Sequence, residues 1–207
     1  MPQQNVKDGL RKIKPVIPDQ TSVLQKILVE TLVRKDLFYN ESVLQQVEDI
    51  YFVSSISGFD QFCRMSALSS LSVGLSCLFY GPPGTGKTEL VYQIGRNTGR
   101  GIFQVDISTI RSKWYGETCE NARKVFREYA TEIDRALTDK KPVPILLINE
   151  ADSVLSSRRE DTGIGPTQSE NTLKNIFLEE MEKNRGLIYA TTNFEGNLDK
   201  AFDRRFL

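Results

Sequence analysis

The sequence predicts an α/β fold, three layers deep (α/β/α) around a mainly parallel sheet, and three observations predict it. From about residue 73, apolar runs of strand length alternate with amphipathic helical segments, which is the pattern of βα units. The first of those runs leads directly into a glycine-rich stretch, Gly81-Pro82-Pro83-Gly84-Thr85-Gly86-Lys87-Thr88. A later run, Pro144–Asn149, ends in polar residues, and the C-terminal strand ends are where a parallel sheet collects its ligands.

Two parts follow from the pattern: a helical N-terminal segment or linker over residues 1–58, and an α/β domain over residues 59–207. After a proline-punctuated start, Ser22 and Gln25 have capping-box spacing, and Leu24, Ile27, Leu28, Thr31 and Leu32 then share one helical face. A second helix is expected from Asn40, carrying Val43, Val47 and Ile50. The expected strands are Leu75–Tyr80, Ile102–Asp106, Pro144–Asn149 and Leu187–Thr191. A helical segment begins near Thr88, following the first strand. Between the second and third strands, Ala122, Phe126, Tyr129, Ile133 and Ala136 recur at steps of four and three, one buried stripe of a helix. Leu173, Phe177 and Met181 mark another. Residues 156–168, polar and holding Gly163, Gly165 and Pro166, read as an exposed loop.

Composition removes several function classes. The 207 residues are 39% hydrophobic, enough to build a core. Lys plus Arg and Asp plus Glu both number 27, so no global basic field draws the chain to nucleic acid. With no histidine, histidine-based zinc sites and Ser-His-Asp triads are excluded. Cys63, Cys77 and Cys119 are odd in number and widely spaced, which fits reduced thiols in a cytoplasmic protein better than a disulfide framework. No apolar run approaches the roughly 18 residues of a membrane helix, and the polar start is not a signal peptide.

Residues 81–88 are a full GxxxxGKT between a strand and a helix. Glycines let the backbone wrap so that successive N–H groups point inward, and the helix N-terminus adds partial positive charge, together making a cradle for phosphates. Lys87 is the residue to reach the β- and γ-phosphates, the Thr88 hydroxyl a ligand for Mg2+, and Glu89 opens the helix beside them. A nucleotide held with Mg2+ is thus the expected ligand, and the resemblance given next implies that the nucleotide is ATP. The run Ile145–Asn149 leads into Glu150, a carboxylate placed to activate or orient a water at the γ-phosphate.

These residues resemble the ATPase core of the AAA family, within the AAA+ superfamily of P-loop NTPases, from about residue 73 to the end. The likeness is nearest to the protein-remodelling katanin and spastin group. The family normally has Asp at the position of Asn149; an amide still accepts a hydrogen bond from a metal-bound water but brings no charge. The resemblance implies that Asn193, after the strand Leu187-Ile188-Tyr189-Ala190-Thr191, senses the γ-phosphate. It implies that Arg204 and Arg205 are arginine fingers reaching a neighbour's nucleotide. It also implies that Lys113, Trp114, Tyr115 and Gly116 form a first pore loop gripping a polypeptide in a ring, normally a hexamer, with residues 158–168 a second. In the family a fifth strand beside Leu75–Tyr80 and a helical lid follow the fingers; both are expected beyond residue 207, leaving an edge open to another chain or to the N-terminal segment. A second reading is a nucleotide-binding assembly module in which Asn149 has made hydrolysis negligible. A nucleic-acid loader or helicase is disfavoured by the charge balance, and a GTPase by the lack of an Asn-Lys-x-Asp motif.

Overall fold

The computed structural model describes residues 22–68, 73–107, 110, 118–155, 168–193 and 200–206. Its elements are β1 (Gln25–Ile27), α1 (Glu41–Ser54), α2 (Ile56–Leu68), β2 (Leu75–Tyr80), α3 (Lys87–Thr98), β3 (Ile102–Asp106), α4 (Thr118–Thr138), β4 (Ile145–Asn149), α5 (Asp152–Leu155), α6 (Gln168–Lys183), β5 (Leu187–Thr192) and α7 (Lys200–Asp203). The five strands form one sheet in the order β1-β3-β4-β5-β2. All pairs are parallel except β1 with β3.

Alternation along the strands explains the three layers. In β4, Leu146 and Ile148 face a core shared with Ala122, Val125, Phe126 and Tyr129 of α4 and with Leu173 and Phe177 of α6. Ile145 and Leu147 face the other side, against Leu90, Val91 and Ile94 of α3, Val47 of α1 and Phe59 of α2. Such near-continuous apolar strands are what burial on both faces demands. The α/β expectation holds, with strand ends within a residue of those read from the sequence.

The N-terminal segment corrects the sequence reading. Residues 22–39 are not an amphipathic helix: Gln25, Lys26 and Ile27 pair antiparallel with Gln104, Phe103 and Ile102, and a single 3-10 turn, Val29–Thr31, follows. The Ser22 hydroxyl, expected to cap a helix, donates instead to Glu128 Oε2 at 2.9 Å. Leu28 is 56% exposed, whereas Val29, outside the proposed stripe, is 3% exposed. The free edge of β3 offers this backbone complete partners, and that long-range pairing overrides a weak helical pattern. β1 therefore lies at the edge opposite β2, and it does not shield the β2 edge, one of the two partners expected for it. The helix from Asn40 does form: Asn40 Oδ1 accepts the Val43 N–H at 3.0 Å, a regular N-cap. The expected boundary between residues 58 and 59 falls inside α2, and the segments on either side of it share one core.

Arg100 welds this part to the sheet. It is 3% exposed, donates to Ser54 O at 2.8 Å, Ser55 O at 3.2 Å and Val143 O at 2.7 Å, and stacks over Phe59. The α1–α2 corner thus finds partners for carbonyls that a helix end leaves open.

Candidate functional site: a phosphate cleft at the strand ends

At the C-terminal ends of the parallel strands lies a cavity of about 710 Å³. The loop from β2 to α3 forms its floor. Gly81, Gly84 and Gly86 have φ of 140°, 82° and 88°, conformations that side chains resist, so the glycines of the motif are there for backbone reasons. Gly86 is the N-cap of α3, whose first residues are Lys87, Thr88 and Glu89. The helix's free N–H groups and dipole are consequently directed at the cleft.

Lys87 Nζ donates to Gly81 O at 2.8 Å, Pro82 O at 2.9 Å and Asn193 Oδ1 at 2.9 Å. Desolvation pulls its ammonium below the usual lysine range, and Asp152 opposes that shift. Thr85 closes the loop on itself through Pro82 O at 3.0 Å. Asn149 Oδ1, at the end of β4, accepts from Thr191 Oγ1 at 3.0 Å and Thr88 Oγ1 at 3.4 Å. Glu150 lines the cavity with its backbone at φ 53°, a left-handed conformation uncommon outside glycine. Strain of this kind clusters at functional sites.

The fold thus brings together, from three separate stretches, residues the sequence had singled out: Pro83, Gly84, Gly86, Lys87 and Thr88, then Asn149 and Glu150, then Asn193. Glu89 also lines the cavity, but its Oε1 is occupied by Lys35 N–H at 3.4 Å, Gln93 at 3.3 Å and Arg96 at 3.2 Å. Arg204 and Arg205 stand apart from the cavity. Arg204 is exposed, whereas Arg205 bonds to Glu182 and Ala201 O of its own chain. Lys113, Trp114, Tyr115 and Gly116, and the loop over residues 158–167, lie outside the described residues.

Two parts of the site escaped the sequence reading. Asp152 Oδ1 accepts the Asn193 N–H at 3.0 Å and the Thr192 hydroxyl, so it fixes the end of β5 that presents Asn193 to Lys87. A carboxylate three residues past Asn149 was a visible signal for it. Lys35, Asp36 and Leu37 line the same cavity, and nothing in their local sequence announces that.

The family is decided by comparison. Residues 77–207 match the model of the ATPase family associated with various cellular activities (AAA). The chain belongs to the AAA family. Among its relatives, Cell division protein C of Sulfolobus acidocaldarius is 35% identical over 62% of this chain and 34% of its own length. Fidgetin-like protein 1 of Homo sapiens is 31% identical over 63% of this chain and 18% of its own. Vacuolar protein sorting-associated protein 4 of Dictyostelium discoideum is 31% identical over 62% of this chain and 27% of its own. This AAA chain thus spans about a third of such relatives or less. None of its described helices is long and apolar enough to cross a membrane.

The donor set fits Mg2+ held with a nucleotide. That ion is usually bound by one or two carboxylates, waters and phosphate oxygens, not by a protein cage. Thr88 and Asn149 supply two neutral oxygens at the cavity, leaving the rest of the ion's shell to waters and phosphate, and no cluster of three or more acidic, cysteine or histidine residues that could hold a metal occurs among the described residues.

Proposed function

We propose that this AAA chain binds ATP with Mg2+ and hydrolyses it to ADP and phosphate. The observation that carries the reading is the convergence of Lys87, Thr88, Asn149, Glu150 and Asn193 on one cavity floored by glycines with positive φ. In it, the loop amides and Lys87 hold the phosphates. Thr88 and Asn149 would hold the metal or its waters, and the metal would supply positive charge to offset that of the phosphates. Glu150 takes the proton of the attacking water or orients it, and Asn193 fixes the γ-phosphate end, positioned by Asp152. Exposed Arg204 is the arginine to reach a neighbouring subunit's nucleotide; Arg205, bound to Glu182, is the weaker candidate for a finger in trans.

The working form is a ring of copies of this chain, a hexamer, acting in the cytoplasm on a polypeptide drawn past Lys113, Trp114, Tyr115 and Gly116. Support for that comes from the family and from relatives with names such as Fidgetin-like protein 1 and Vacuolar protein sorting-associated protein 4. No role on nucleic acid or membrane is proposed.

Asn149 favours one second reading, an ATP-gated assembly module that hardly hydrolyses. Replacing a charge-assisted hydrogen bond by a neutral one costs on the order of 1–2 kcal/mol, or about tenfold in rate. That slows hydrolysis without abolishing it. Single-turnover measurement with Mg2+ separates the two: product formed well above the rate in buffer supports the ATPase, and ATP bound but intact leaves only the module.

A further inference from the structure

The ladder between β4 and β5 runs from Ile145 beside Leu187 to Ile148 beside Ala190. The residues that line the cavity, Asn149 and Glu150 on one side and Thr191, Thr192 and Asn193 on the other, come immediately after it. Beyond the ladder the two chain ends are tied in another way. Thr191 Oγ1 donates to Asn149 Oδ1 at 3.0 Å, and the Ala151 N–H donates to Thr191 O at 3.0 Å. Asp152 Oδ1 accepts the Asn193 N–H at 3.0 Å and also the Thr192 hydroxyl.

Glu150 sits between these ties with its backbone at φ 53°. A residue with a side chain resists that conformation and keeps it only where its surroundings over-determine it. Before Glu150, Asn149 is held in β4 beside Asp106 of β3. After it, Ala151 is 2% exposed and its carbonyl accepts the Val154 and Leu155 N–H groups at 2.9 Å each. The turn therefore falls on Glu150. Its side chain is exposed, so the direction of the carboxylate depends on the backbone beneath it. Thr192 is 4% exposed, and a valine of the same shape would fill its place in β5 without the hydroxyl that meets Asp152.

We propose that Thr192 and Asp152 are positioning residues that clasp the end of β5 to the turn after β4, and so hold Glu150 in its left-handed conformation at the cavity. The inference rests on the hydrolysis reading above and adds to it what places the base. Glu150 and Asn193 then belong to one rigid unit: a shift of Asn193 at the γ-phosphate is passed through Asp152 to the turn that carries Glu150.

The test reads the single-turnover rate of the 207-residue chain with Mg2+ and ATP beside its equilibrium affinity for ATP. Thr192→Val keeps the shape and removes the hydroxyl; it should slow the rate about tenfold and leave ATP affinity within about twofold of the unaltered chain. Thr192→Ser, which keeps the donor, should retain most of the rate. Asp152→Ala should act like Thr192→Val, whereas Asp152→Asn, which still offers an acceptor oxygen, should lose less. Because the clasp acts through Glu150, adding Thr192→Val to Glu150→Gln should change the residual rate by less than about twofold. A full loss in that background too, a rate unchanged in both Thr192→Val and Asp152→Ala, or rate and ATP affinity lost in parallel overturns the proposal. Hydrogen exchange reads the clasp without any turnover: the Ala151 amide should exchange faster in Thr192→Val than in Thr192→Ser or the unaltered chain, and equal exchange in all three overturns the proposal. If the unaltered chain binds ATP and leaves it intact, or Glu150→Gln hydrolyses as fast as the unaltered chain, the hydrolysis reading fails, and with it the role given to the clasp in placing a base.

Discussion

The cavity has two walls of different origin. The floor and far side come from the β2–α3 loop and the ends of β4 and β5, where each functional residue sits beside the strand or helix that aims it. The wall made by Lys35, Asp36 and Leu37 belongs to a stretch without regular structure, held by side chains from α3 and by packing of Leu37 against the core. A motif can write the first kind of wall because its geometry is local. The second exists only after β1 has paired with β3 and Arg96 has met Val29, so its information is spread over distant parts of the chain.

The contrast breaks most sharply if a further wall comes from another molecule. Arg204→Ala should lower turnover by about a thousandfold or more, with its thermal midpoint unchanged because Arg204 is exposed. Mixing Arg204→Ala with Glu150→Gln subunits should restore part of the activity, since each supplies what the other lacks. Failure to restore would place the arginine's action within its own chain. Arg205→Ala should instead lower the midpoint, through loss of the contact to Glu182; an unchanged midpoint would refute that division of labour.

Within the local wall, Glu150→Gln should reduce turnover by about 10²–10⁴ while ATP still binds, read by single-turnover chemistry beside equilibrium titration. Lost ATP affinity would mean that Glu150 holds the ligand and not the water. A smaller effect separates charge from geometry. Asn149→Asp should raise hydrolysis about tenfold, because Thr88 and Thr191 already donate to this position and would serve a carboxylate equally. A lower rate in Asn149→Asp would show that the amide is adapted to its neighbours. Smallest of all, Leu37→Ala should weaken nucleotide binding by about two- to fivefold, and unchanged affinity would mean that the remote wall does not touch the ligand.

What was legible follows the same divide. β2, β3, β4 and β5 could be read because burial on both faces leaves apolar runs such as Ile145-Leu146-Leu147-Ile148, and the glycines with positive φ are required by backbone geometry alone. Asn40 announced α1 through its capping side chain. β1 could not be read: Gln25-Lys26-Ile27 carries no strand pattern, and the periodic leucines nearby suggested a helix that edge pairing with β3 displaces. The break between α1 and α2 was hidden because it occupies one residue, Ser55. Glu89 was read as part of the phosphate site from its place in the motif, yet its carboxylate turns to Lys35, Gln93 and Arg96. Asp152 carried a readable signal, but its purpose appears only when β5 lies alongside.

Equilibrium titration of Mg2+ and ATP into the unaltered chain and into Lys87→Ala bears most directly on the phosphate cradle. One ATP per chain should bind the unaltered protein, and affinity should fall by about a hundredfold when the ammonium that meets Gly81, Pro82 and Asn193 is removed. Equal affinity in the two proteins would mean that the loop from Gly81 to Thr88 does not hold the phosphates.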